Sequence, residues 1–150
     1  MTSPLSLTLH QDGDGTAELS AKVQVNGFSG VGAAWFNVSE ISSFGQMLAK
    51  TYPLLPGEDY ELKGGYWSST RPGTIQHIHL ALSFYPVGSI GRVGCRVQLA
   101  NQLETASSAP EYAVTAELRT QYEQLREFGL ALVALTEGKC SEAVLSAAGA

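Results

Sequence analysis

The sequence predicts an α+β domain: an antiparallel sheet of about six strands with two helices packed on one of its faces. Several short segments alternate apolar and polar residues with a period of two, which is typical of half-buried strands. Two longer segments repeat apolar residues every three or four positions, which indicates helices. The 16 glycines among 150 residues favour strands and turns over a helical bundle. The length fits a single domain covering 1–150.

Six segments are predicted as strands. They cover residues 5–10, 17–25, 28–37, 59–63, 75–85 and 90–99. The clearest is the second, in which Ala17, Leu19, Ala21, Val23 and Val25 alternate with polar residues. Because short turns join most neighbouring strands, we expect an antiparallel sheet that is wet on one face and covered by helices on the other.

Two helices follow from the apolar spacing. The first is predicted over 40–51, with Ser39 as its N-cap and Pro53 after its end. The second is predicted over 115–136, with Gly138 placed to terminate it. Between strand six and this helix we expect a flexible loop at about 101–113, and we expect the tail at about 141–150 to fray.

A short motif occurs twice. Phe44-Gly45-x-x-Leu48 in the first helix returns as Phe128-Gly129-x-x-Leu132 in the second, and each helix follows three candidate strands. The hypothesis is a chain of two βββα halves. Two short matches also arise without duplication, so that alternative stays open.

Charge and composition exclude several classes of protein. A formal charge of −5 argues against a nucleic-acid binder, which needs a basic footprint. No apolar run approaches the roughly 20 residues that span a bilayer, and the first residues lack a signal-peptide pattern, so we expect no membrane association. Cys95 and Cys140 form no metal-binding or redox spacing and predict free thiols in a cytoplasmic protein.

His77 and His79 are the strongest candidates for a metal-binding or catalytic site. Two histidines two positions apart on a strand project to the same face, as a metal site requires. No third ligand is evident, because the strand pattern places Cys95 on the apolar side. Solvated histidines on a polar face are the favoured interpretation, so we predict no metal and no cofactor. No nucleophile elbow or phosphate loop is present either, and we expect a protein without enzymatic activity.

The polar face of the sheet is the remaining candidate site. On alternation it gathers Arg92, Arg96, His77, His79 and Lys22. Arginine is enriched in binding hot spots and forms bidentate pairs with carboxylates. The sequence therefore predicts a surface for an acidic protein partner, with an ordinary solvated face as the alternative.

A series of structural landmarks runs along most of the chain. In order they are Gly32-Ala33-Ala34-Trp35-Phe36, Tyr52-Pro53-Leu54, Leu62-Lys63-Gly64-Gly65-Tyr66-Trp67, His79-Leu80 to Tyr85-Pro86, Gly91-Arg92-Val93-Gly94 and Tyr122-Glu123-Gln124-Leu125-x-x-Phe128. This order resembles the WapI-type bacterial immunity proteins and related uncharacterised bacterial families. The resemblance implies an antitoxin that occludes a cognate toxin without chemistry of its own. It transfers no contact residue, because partners differ within the class.

Two other functions stay open at this point. One is a metal-binding module or metal-dependent enzyme centred on His77 and His79. The other is a structural protein that associates with itself, as a homodimer, through an exposed sheet face or edge.

Overall fold

The computed structural model describes residues 4–88, 91–101 and 110–146. These residues form eight strands and two helices. In chain order they are β1 (Leu5–Gln11), β2 (Thr16–Val25), β3 (Phe28–Asn37), α1 (Val38–Lys50), β4 (Tyr60–Trp67), β5 (Ile75–Val87), β6 (Arg92–Ala100), β7 (Ala113–Gln121), α2 (Tyr122–Thr136) and β8 (Ala143–Leu145).

The strands form two antiparallel sheets of four. The first sheet has the order β3-β2-β1-β8, and the second has the order β4-β5-β6-β7. The α+β class, the two helices and the antiparallel pairing are therefore confirmed. The single sheet of about six strands is wrong, because α1 intervenes between β3 and β4 and the chain begins a second sheet after it. Alternation reports which side of a strand is buried and carries no information about which sheet the strand joins.

The two sheets are related by a topological repeat. Each half of the chain runs through three antiparallel strands, a helix and a final strand, as β1-β2-β3-α1-β4 and β5-β6-β7-α2-β8. The final strand of each half pairs with the first strand of the other half, β4 with β5 and β8 with β1. The repeating unit is thus βββαβ, one strand longer than the βββα unit that the motif suggested.

The repeated motif lies where the two helices cross. A Cβ added to Gly45 would lie 2.7 Å from the carbonyl oxygen of Gly129, and one added to Gly129 would lie 2.5 Å from that of Gly45. Phe44 and Phe128 both pack against Phe84 of β5, at centroid distances of 6.0 Å. The two glycines therefore bring the backbones of the helices into contact, while the neighbouring phenylalanines fill the core beneath them.

Strand β3 also crosses the inner face of the second sheet. A Cβ on Gly32 would lie 2.8 Å from the carbonyl oxygen of His79 and 3.0 Å from Cβ of Leu99. On β4, a Cβ on Gly64 would lie 2.8 Å from the ring of Phe36. Glycines on both sides of the crossing allow this close approach of strand to sheet. The crossing closes one core between the two sheets and the helices.

Three local predictions need correction. Residues 115–121 belong to β7, and α2 begins only at Tyr122. The N-cap of α1 is Asn37, whose N–H donates to Glu40 Oε1 at 3.1 Å, and Ser39 lies inside the helix. Part of the tail is ordered, because β8 pairs with β1 and buries Leu145. Most of the predicted loop at 101–113, residues 102–109, lies outside the described residues, as do 147–150.

Neither helix is long and apolar enough to span a lipid bilayer, as far as the described residues show.

Candidate functional site

The structure divides the predicted partner-binding residues between two surfaces. Arg92 and Arg96 lie on the outer face of the second sheet, and their alternation with the buried Val93 and Cys95 is as expected. Lys22 lies on the outer face of the first sheet, because its strand β2 is part of that sheet. The prediction that one sheet face carries all five residues is therefore wrong for Lys22.

A cluster of linked polar side chains surrounds Arg96. Its Nε donates to Glu117 Oε2 at 2.6 Å, and its guanidinium carbon lies 5.9 Å from the ring centroid of Tyr85. The Tyr85 hydroxyl donates to the other carboxylate oxygen of Glu117 and lies 3.5 Å from Arg119 Nη1. We call the outer surface formed by Tyr85, Arg92, Arg96, Glu117 and Arg119 the arginine face.

The register of the second sheet explains why these side chains meet. Arg96 pairs with Glu117 across β6 and β7, and Gly94 sits directly between Tyr85 and Arg119. A Cβ on Gly94 would collide with the Tyr85 ring, so the ring lies across the glycine and extends toward β7. Glycine at this position thus allows an aromatic side chain to cover the backbone and contact a strand that is not its neighbour.

Interactions within this cluster favour the ionised forms of Glu117 and Arg96. Partial burial opposes ionisation of Glu117, but hydrogen bonds from Tyr85 and Arg96 and the two nearby arginine charges outweigh it and lower the pKa of Glu117. Burial and the hydrogen bond to Glu117 raise the pKa of Tyr85. The same carboxylate raises the pKa of Arg96. At neutral pH the cluster therefore holds two arginines and one carboxylate in fixed positions.

A cleft adjoins the arginine face. It has a volume of about 700 Å³ and is lined by Pro56, Gly57, Glu58, Asp59, Tyr85, Pro86 and Gly88. Beside it, Ser83 Oγ donates to Asp59 Oδ1 at 2.5 Å. Tyr85 is thus shared between the cleft and the arginine face, so a partner bound to the face would also meet the rim of the cleft.

The two histidines occupy the far end of β5 and form a different environment. His79 is only 7% exposed, so the prediction of two solvated histidines is wrong for His79. Its Nε2 is buried with no hydrogen-bond partner among the described residues. Burial, followed by the neighbouring charge of His77, lowers the pKa of His79. His77 lies edge-on to Tyr66 at 6.4 Å. Throughout residues 4–88, 91–101 and 110–146, no group of three His, Cys, Asp or Glu side chains is placed to hold a metal ion.

Sequence reasoning missed three members of the arginine face. The predicted helix over 115–136 includes Glu117 and Arg119. In a helix, their alternation with Ala116, Leu118 and Thr120 does not indicate a common face. Read with a period of two, that alternation would have placed both on an outward face. Tyr85 shares the alternation of His77 and His79. Its contact with Glu117 depends on Gly94 of the neighbouring strand β6, and sequence spacing does not reveal that pairing.

Comparisons of this chain with protein-family models, with curated proteins and with solved structures find no match.

Proposed function

We propose that this protein is a non-enzymatic binding protein whose arginine face contacts an acidic surface on a protein partner, as in an immunity-type antitoxin that occludes its toxin. The observation that carries the proposal is the charge on strands β6 and β7. Their outward side chains include Arg92, Arg96 and Arg119 against the single carboxylate of Glu117. The whole chain, by contrast, has a formal charge of −5.

The arginines are also prepared for binding. Arg96 and Arg119 are already held by Glu117 and Tyr85, so fewer side-chain rotamers are lost when a partner docks. Arg96 remains 50% exposed at its side chain, which leaves donors free for a partner carboxylate. Pre-positioned guanidinium groups around a tyrosine are the composition found in protein-binding hot spots.

The interior chemistry is consistent with a binding role. The Cys95 thiol is fully buried in the core, and this burial raises its pKa far above the usual range. The thiolate that a nucleophilic cysteine needs is therefore strongly disfavoured at this position. Both cysteines are free. The cytoplasmic location is part of the same proposal and rests on these unpaired thiols.

The test compares two double charge reversals with the same net charge. Arg92→Glu/Arg96→Glu alters the arginine face, and Arg126→Glu/Lys139→Glu alters exposed positions on and after α2. Each protein is immobilised, exposed to lysate of the source cells, and its retained proteins are quantified by mass spectrometry. We expect one protein, near one-to-one with the bait, that the wild type and the α2 variant retain and the face variant loses.

The retained protein is then purified and its complex with the wild type is measured by light scattering. A one-to-one complex that survives Arg92→Glu/Arg96→Glu unchanged would remove the arginine face from the proposal. A complex that contains only further copies of this chain would replace the antitoxin function with self-association.

A further inference from the structure

A second cleft lies on the outer face of the first sheet, away from the arginine face. It has a volume of about 590 Å³, which is within the range of small-molecule sites. Its lining is mostly apolar and includes Val31, Ala33 and Ala100, with hydroxyl groups and two charged side chains among them. Val31 is 70% exposed, which is unusual for an aliphatic residue in the middle of a strand.

Strand register fixes the floor of this cleft. Ser6 pairs with Lys22, and Thr8 pairs with Ser20, so the four side chains form a square on β1 and β2. Neighbouring strands lie about 4.8 Å apart and alternate residues about 6.8 Å apart, so one small molecule reaches all four. The ion pairs of the described residues join Lys63 to Glu61, Arg96 to Glu117 and Lys139 to Glu137. Lys22 lines the cleft and takes part in none of these ion pairs.

The side wall is held rigidly. Asn101, at the end of β6, accepts hydrogen bonds through Oδ1 from the N–H groups of Glu111 and Tyr112, at 2.9 and 2.8 Å. Its own N–H donates to the carbonyl oxygen of Tyr112 at 3.0 Å. These bonds fix Asn101 against the residues that lead into β7, so this wall of the cleft is in place before any ligand arrives.

The two charges of the lining lie at opposite sides. Lys22 is on β2, next to Val31 of β3, whereas Glu142 immediately precedes β8 at the other edge of the sheet. The strand β1 separates them, and it contributes Ser6 and Thr8. A negative group is therefore favoured near Lys22 and disfavoured near Glu142.

From this arrangement we propose that the cleft binds a small aliphatic monocarboxylate. The carboxylate accepts hydrogen bonds from the Lys22 ammonium and from the hydroxyls of Ser6 and Ser20. The aliphatic part lies against Val31, Ala33 and Ala100. Glu142 repels a second carboxylate at the far end, so a dicarboxylate of the same length binds less tightly.

Nuclear magnetic resonance titrations of ¹⁵N-labelled protein test the proposal with hexanoate, adipate and hexylamine as probes. We expect hexanoate to give saturable shifts in the amide signals of Ser20, Lys22 and Val31, and adipate to bind several-fold less tightly. Lys22→Gln should weaken hexanoate about tenfold, because it removes a charge-assisted hydrogen bond. Lys63→Gln, the same change on the outer face of the second sheet, should leave the affinity unchanged.

Glu142→Gln supplies the second criterion. It should bring adipate close to hexanoate in affinity, because the repelling charge is gone. The absence of saturable shifts with hexanoate, equal affinity in Lys22→Gln, or hexylamine binding as tightly as hexanoate would each overturn the proposal. All these variants change exposed residues, and a thermal melt of each confirms that it is folded.

Discussion

The two halves of this chain match in which inner positions are buried and differ in the residues on their outer faces. When the two halves are aligned in sequence so that Phe44 matches Phe128, Val38, the first residue of α1, matches Tyr122, the first residue of α2. At the same offset, buried residues match buried residues. The pairs are Ala34 with Leu118, Ile41 with Leu125, Gly45 with Gly129 and Leu48 with Leu132.

The outward positions of the same strands have diverged. Ala33 corresponds to Glu117, and Trp35 corresponds to Arg119. Inner positions of both halves meet in one core, where packing restricts size and polarity. Outer positions carry no such restriction. One fold unit therefore supports an apolar cleft with hydroxyls on the first sheet and the arginine face on the second.

The largest effect should come from the helix crossing that the halves share. Gly45→Ala and Gly129→Ala should each lower the free energy of unfolding by about 3 kcal/mol, because the new methyl group meets the backbone of the facing helix. Their similar cost would show that the two halves contribute equally to the crossing. Ser43→Ala, on the exposed side of α1, should change stability by less than about 0.5 kcal/mol. Urea unfolding measures all three. A tolerated alanine at either glycine would contradict the backbone contact between the helices, and clearly unequal costs would contradict the equivalence of the halves.

The second effect should separate β3 from β7. Gly32→Ala adds one carbon where β3 crosses the second sheet and should cost about 2 kcal/mol. Ala116→Val adds two carbons at the equivalent, half-buried position of β7 and should cost less than about 1 kcal/mol. Urea unfolding of the two variants tests this order. A larger cost for Ala116→Val than for Gly32→Ala would show that β3 is not the strand packed more tightly against the core.

The fold was predictable where a pattern belongs to one element and unpredictable where it depends on pairing partners. The strand over 17–25 and the buried side of Cys95 followed from alternation alone. Leu118, Tyr122 and Leu125 have helical spacing across the junction of β7 and α2, which concealed the strand. The three residues of β8 are too few for a periodic signal, and they are fixed by pairing with β1, far away in the sequence.

The candidate site shows the same division. Arg92 and Arg96 were placed on one face correctly, because they share a strand. Lys22 was grouped with them because alternation does not distinguish two sheets. The contact between Tyr85 and Glu117 spans the intervening β6 and requires Gly94, so it emerges only when the register is known.

A third effect should distinguish the two histidines by pH. The pKa of His79 is lowered from 6.5 by burial and by His77, so the unfolded chain takes up a proton at this position before the folded chain does. The contribution of His79 to the free energy of unfolding should therefore be fully present above pH 6.5 and should be lost as the pH falls below it. As the pH falls, this loss should come before the loss from Glu117, whose lowered pKa keeps its contribution in place until the pH falls below 4.5.

Unfolding free energies measured between pH 7 and pH 5 test this sign. His79→Gln should remove most of the slope in that interval, whereas His77→Gln, at the more exposed histidine, should retain part of it. A slope that His79→Gln leaves intact would assign the pH dependence to another group.

The smallest effect should be on the arginine face itself. Arg96→Gln removes an ion pair between two side chains that are 50% and 38% exposed, and such pairs contribute about 0.2 to 1 kcal/mol. Ser20→Ala, on the outer face of the first sheet, should be neutral within about 0.5 kcal/mol. Both faces would then be dispensable for folding while the inner glycines are not. Urea unfolding of Arg96→Gln decides this, and a cost near that of the glycine variants would mean that the arginine face supports the fold. A small cost leaves the partner, rather than the core, as the reason for the arginines there.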